Sequence, residues 1–122
     1  MGVDLTLLPL DYPIVTGSHG NHMATTVLDV ARWRALWPFI ETLPLVKLGE
    51  PLLTHLALDE AGNMEWGSVE CDAYDGPLHY VRAADLVALR EHPSIKDDFK
   101  NRAIWAYLAE LPPDWPVVLY WD

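Results

Sequence analysis

Both ends of this sequence read as strands that must be buried, and that constrains the fold more than any other feature. Residues 3–10, "VDLTLLPL", alternate: Val3, Leu5 and Leu7 fall on one face, and Asp4, Thr6 and Leu8 on the other. Period two is the mark of a half-buried strand. At the other end "PVVLYWD" is a second apolar strand. A strand is not stable alone, so these two need neighbours and a covering layer. Helical patterns lie between them. The expectation is one α+β domain over residues 1–122: a mostly antiparallel sheet with helices packed on one face. The C-terminal strand is expected to pair with an early one.

Between the ends, residues 11–21 hold Pro13, Gly17 and Gly20 and read as a loop. "MATTVL" has the β-branched content of a second strand. Asp29 reads as the N-cap of a helix carrying Val30, Trp33, Trp37 and Ile40 on one face. Pro38 should kink or break that helix, and Pro44 should end it. "PLLTHLAL", "DEAGN" and "MEWGSVEC" read as strand, turn, strand, with Gly67 weakening the register. "AYDGP" is a turn and "PLHYV" a short strand. "RAADLVALREH" reads as a helix that Pro93 stops. The next stretch, from Ser94 to Leu111, is the clearest helix, with Ser94 or Asp97 as its cap and Asp98–Arg102 as an (i, i+4) pair. Phe99, Ala103, Tyr107 and Leu111 form the expected core stripe, widened by Ile104 and Leu108.

A chain of 122 residues, 51% hydrophobic, is large enough to build a core without disulfides or a structural metal. The single cysteine, Cys71, has no partner for an internal bridge, which fits a reducing compartment. No apolar run reaches the length of a membrane span. The apolar start is interrupted by Asp4 and Pro9, unlike a signal peptide. The start also has Gly2 and Thr6 of a myristoylation pattern, but the strand explains the same residues. The expected setting is therefore cytoplasmic.

The formal net charge is −10, which repels nucleic-acid phosphates and argues against direct nucleic-acid binding. From Leu48 to Val81 there is no Lys or Arg, whereas Glu50, Asp59, Glu60, Glu65, Glu70, Asp72 and Asp75 all occur. That window is either a solubilising surface or one shaped for a basic partner.

The most chemical-looking stretch is "GSHGNHM", in which His19 and His22 are three apart. A zinc site needs a third and usually a fourth ligand, and Asp11, His55, Cys71 and His79 are the available donors. The flanking glycines make a plain polar loop the simpler reading. Cys71 with His79, oriented by Asp72 or Asp75, has the residue types of a nucleophile and its base, but no motif surrounds them. Glu70 and Asp72 share a strand face, yet acid–base work needs one carboxyl desolvated. The sequence contains no phosphate-binding loop, dinucleotide fingerprint, nucleophile elbow or H-E-x-x-H zinc motif. No cofactor is implied. The six tryptophans are the less ordinary feature. Trp33 and Trp37 fit the core; Trp105, Trp115 and Trp121 are candidates for an aromatic contact patch.

The segments "MGVDLTLLP", "GPLHYVRAADLVALR", "NRAIWAYLAELP" and "VVLYW" resemble a family of small, uncharacterised proteins encoded by tailed phages and prophages. The resemblance covers the first nine residues and much of 76–121, and not "GSHGNHM" or the acidic window. It implies synthesis in a bacterial cytoplasm by a mobile element and carries no catalytic residue. Charge, tryptophan content and absent motifs together point to a non-enzymatic, host-directed binding protein. Its contact residues would be Asp59, Glu60, Glu65, Glu70, Asp72, Asp75, Trp105, Trp115 and Trp121, facing a host or phage protein with a basic surface. A metal-dependent enzyme or ligand binder using His19 and His22, and a phage structural or assembly component, are the alternatives.

Overall fold

β8 (Pro116–Trp121) runs antiparallel to β1 (Leu5–Pro9), with Leu7 opposite Leu119 and Leu5 opposite Trp121. This pairing forms the middle of the fold in the computed structural model, which describes residues 4–14, 22–31, 33–58 and 64–121. Outside β1 lies β3 (Leu28–Asp29); outside β8 lies β7 (His79–Arg82), and then β4 (Val46–Lys47). All four pairings of this five-stranded sheet are antiparallel. A second, three-stranded sheet has the order β2 (His22–Ala24), β5 (Leu52–Leu58), β6 (Met64–Val69). There β2 is parallel to β5, and β6 is antiparallel to it.

The helical segments are α1 (Trp37–Ile40), α2 (Ala83–Val87), α3 (Pro93–Lys96) and α4 (Phe99–Glu110). Together they cover one face of the larger sheet. Leu5, Leu7, Val81, Val117 and Leu119 pack there against Ile40, Leu86, Ile95, Trp105 and Leu108. The opposite face meets the smaller sheet, with Leu8, Leu10 and Val118 packed against Ala24 and Leu52. The expected α+β arrangement therefore holds, with the second sheet as an added layer.

That layer explains why β1 is buried on both faces rather than half-buried. Its odd residues meet the helices, and Leu8 meets the second sheet. Thr6, the one polar side chain inside it, donates to the Asp29 carboxylate at 3.0 Å. Asp29 is therefore a strand residue and not the expected helix cap. "MATTVL" is likewise not one strand. The chain passes from β2 in one sheet to β3 in the other, and the break is held by Asp11, which accepts from the Thr25 amide and hydroxyl at 3.0 and 2.9 Å.

No continuous helix follows. A 3-10 turn at Trp33–Ala35 precedes α1, and Pro38 sits in the first turn of α1, where a missing amide hydrogen costs nothing. Leu36 and Ile40 are the buried residues here, whereas Trp37 is exposed. Pro93 likewise opens α3 rather than closing the helix before it. The α3 start is capped by His92, whose ring accepts from the Ser94 amide. Asp98, rather than Ser94 or Asp97, caps α4, accepting from the amides of Lys100 and Asn101.

The buried face of α4 is Asn101, Ile104, Trp105 and Leu108. Of the expected stripe, Ile104 and Leu108 are buried and Leu111 packs against the core, but Phe99 is 80% exposed and Tyr107 41%. Two polar tethers select the true face. Asn101, fully buried, accepts from the Ala31 amide and donates to the carbonyls of Ala31 and Ser94. Trp105 Nε1 donates to the Leu86 carbonyl at 2.7 Å.

The hairpin of β5 and β6 forms as expected. Thr54 pairs with Gly67 and Ala57 with Glu65, so residues 55 and 56 stand opposite 66 as a bulge. No helix among the described residues is long and apolar enough to cross a membrane.

Two substitutions test this packing. Asn101→Ala leaves one amide and two carbonyls buried without their partner and should lower the unfolding free energy by about 3 kcal/mol in urea titration. Among the described residues, the fully buried hydroxyl of Thr54 has no hydrogen-bond partner. Thr54→Val should therefore raise stability, by about 1 kcal/mol in the same titration.

Candidate interaction surface

Two carboxylates of the acidic window, Glu50 and Glu70, come together at the open end of the β5–β6 hairpin. Glu50 precedes β5 and Glu70 follows β6, and both line a cleft of about 310 Å³ with Cys71, Pro77 and Leu78. Lys47, just outside the basic-free window in sequence, also lines it. β4 pairs with β7, with Lys47 opposite His79, and this places it there. Arg82 is held elsewhere. Its guanidinium donates to Asp85 at 3.1 Å and reaches Asp114 at 3.5 Å, and the Asp85 hydrogen bond and charge raise its pKa above the ordinary arginine value.

After Glu70 the chain makes the turn expected at 73–77. Asp72 builds it. One carboxylate oxygen accepts from the amides of Tyr74 at 2.9 Å and Gly76 at 3.0 Å. Asp75 takes a positive φ of 60°, a region Asp tolerates better than most residues. A Cβ at Gly76 would lie 3.1 Å from the Asp72 carboxylate, a tight contact to the group that builds the turn. Asp72 thus has an internal role and is half-buried, whereas Glu70 and Asp75 are exposed. Asp59 and Glu60 lie outside the described residues. Glu65 lies on β6.

The same turn is tied to the aromatic residues. The Ala73 amide donates to the Trp121 carbonyl at 3.0 Å. Trp121 is half-buried, and its ring lies 4.7 Å from that of Trp37, tilted by 59°. Tyr74, in the turn, is 50% exposed. The three tryptophans expected to make contacts separate accordingly. Trp105 is 3% exposed and is a core residue, because its indole nitrogen finds a carbonyl inside. Trp115 is half-buried and donates to the Leu10 carbonyl at 2.7 Å. Trp121 remains at the surface edge beside Trp37. Trp37 was missed because the helical period assigned it inward; Pro38 restarts the helix and that period does not run through it.

The histidine pair is not assembled into a site by the described residues. His19 lies outside them. His22 is on β2, and its Nε2 is 3.5 Å from a Glu50 carboxylate oxygen. Asp11 is engaged by Thr25. Among the described residues no group of three His, Cys, Asp or Glu side chains is placed to hold a metal ion. Cys71 and His79 are not brought together either. Cys71 lines the cleft with Leu78, whereas His79, the first residue of β7, is not among the residues that line it.

An α+β protein with an acidic cleft, a carboxylate-built turn and a neighbouring Trp pair is the class these observations define. Comparison with known proteins finds no matching family model, no matching curated protein and no matching solved structure.

Cys71 is exposed at the cleft mouth. It should react with one equivalent of maleimide at comparable rates in native and urea-unfolded protein. A native rate slower by a hundredfold would mean that the thiol is covered.

Proposed function

We propose that this chain is a non-enzymatic accessory protein of a phage or prophage, which binds a host or phage protein in the bacterial cytoplasm. The contact surface is the acidic turn with the aromatic pair beside it. The Ala73–Trp121 hydrogen bond carries this reading, because it joins the two features that the sequence keeps apart. Exposed Glu70, Asp75 and Tyr74 then lie on the same stretch as Trp121 and its neighbour Trp37. Aromatic residues supply most of the affinity at protein interfaces, and surrounding charges set partner choice and encounter rate. The carboxylates favour a partner with a basic face. The phage setting rests on the resemblance of the two ends of the chain to such proteins.

Affinity purification from bacterial lysate, quantified by mass spectrometry, tests it. The wild type should enrich a protein that Trp37→Ala loses, and that Glu70→Gln with Asp75→Asn also loses. Recovery should fall at least tenfold between 0.1 and 0.5 M salt, since exposed charges are screened there. Asn at 75 tolerates the positive φ, so the turn survives that change. Equal recovery by the wild type and all the variants would sink the proposal.

A further inference from the structure

Phe99, at the first position of α4, is the most exposed large apolar side chain among the described residues, at 80%. Its neighbours on the helix extend the feature. Phe99, Arg102, Ala106 and Ala109 recur at steps of three and four residues, so they share one face, and all four are exposed. Ala109 also lines an open groove of about 450 Å³ between α2 and α4, with Val87, Ala88, Leu108, Leu111 and Pro113. One helix face thus carries an aromatic knob at one end and an apolar recess at the other, about 15 Å apart along the axis. Ala106, between them, is small enough to let another helix come close.

The charges along this face select the occupant. Residues 96–102 hold Lys96, Lys100 and Arg102 against Asp97 and Asp98, a net +1. The groove end, 82–91 and 110–114, holds Arg82 and Arg90 against Asp85, Glu91, Glu110 and Asp114, a net −2. Within α4 this order opposes the helix dipole: no acidic residue stands in the first turn and no basic one in the last. A second copy laid antiparallel sets each end against its opposite; a parallel one sets like against like. Arg102 donates to the Lys96 carbonyl at 2.7 Å, which draws its guanidinium to the start of α4, level with Glu110 of an antiparallel copy. Residues 82–114 together carry only −1 of the −10, so two such chains repel far less here than across their acidic faces. A two-fold interface needs one self-complementary patch, and the knob, the recess and the charge order supply it.

We infer that α4 packs antiparallel against α4 of a second copy, with Phe99 of each chain seated in the α2–α4 groove of the other. Burial of the two phenyl rings holds the pair, and the opposed charged ends set its direction. The inference does not rest on the binding role proposed above, because it uses neither the acidic turn nor the Trp37–Trp121 pair.

Sedimentation equilibrium of the full chain tests it. The wild type should form a dimer at millimolar concentration. Phe99→Ala and Ala109→Arg should each weaken that dimer at least tenfold while leaving the urea midpoint of the monomer in place, since both side chains are exposed. Arg102→Glu and Glu110→Arg should each weaken it as well. An equimolar mixture of those two variants should associate as the wild type does, because each chain supplies the charge that the other lacks. A wild type that stays monomeric would overturn the inference, and so would a dimer indifferent to Phe99→Ala. A mixture that associates no better than either variant alone would overturn it too. A monomeric wild type whose Phe99→Ala variant loses a protein from bacterial lysate would assign the face to a different partner. The binding role proposed above reads out separately, through Trp37→Ala and the Glu70 and Asp75 changes.

Discussion

The pairing of β1 with β8 is the constraint on which the rest of the structure depends. The two strands come from opposite ends of the sequence and lie side by side in the middle of the larger sheet. Leu5, Leu7, Val117 and Leu119 point into the helical layer; Leu8, Leu10 and Val118 point into the second sheet. A one-residue slip would exchange these two sets. Because both faces are covered, neither layer tolerates that exchange, and the register is specified twice. β3 and β7 then take the two remaining edges of the pair. The closure joins residues far apart in the chain, but loop entropy grows only slowly with length, and burial on both faces outweighs it.

Polar groups lock the layers in place. Asn101 ties α4 to the start of α3 and to the segment after β3. Trp105 ties α4 to α2, and Trp115 ties the loop before β8 to the end of β1. Asn101 and Trp105 are buried and Trp115 half-buried, each with a satisfied donor, so each adds direction to an otherwise apolar contact. The tryptophan content, which read as a sign of binding, is thus divided. Part of it builds the core, and Trp37 with Trp121 stays at the surface edge.

The functional reading follows from where the acidic window ends. Its last carboxylates are not spread over the surface. Glu50 and Glu70 meet at one cleft, Asp72 is consumed in shaping a turn, and that turn is bonded to the C-terminal strand. Lys47 lines the same cleft, so the exposed acidity beside it is carried by Glu70 and Asp75. The proposed binding role would draw on both features, long-range attraction from the carboxylates and aromatic contact beside them.

What the sequence determined by itself is local. Period-two alternation marked β1, an apolar run marked β8, strand–turn–strand patterning marked the hairpin, and Asp, Gly and Pro marked the turn at 73–77, because these signals depend on neighbouring residues alone. The α+β class followed from two terminal strands that needed covering. Tertiary structure decided the rest. The inward face of α4 is that of Asn101 and Trp105, and Phe99 and Tyr107 face out, since the helix is apolar enough on both sides that only the partners waiting at Ala31, Ser94 and Leu86 select between them. The segment 22–29 was divided between two sheets by a carboxylate at position 11. Trp121 met the acidic turn through a hydrogen bond spanning 48 residues of sequence. Hydrogen bonds and contacts between distant residues leave no periodic trace, and for that reason the surface proposed to carry function existed only once the chain had closed.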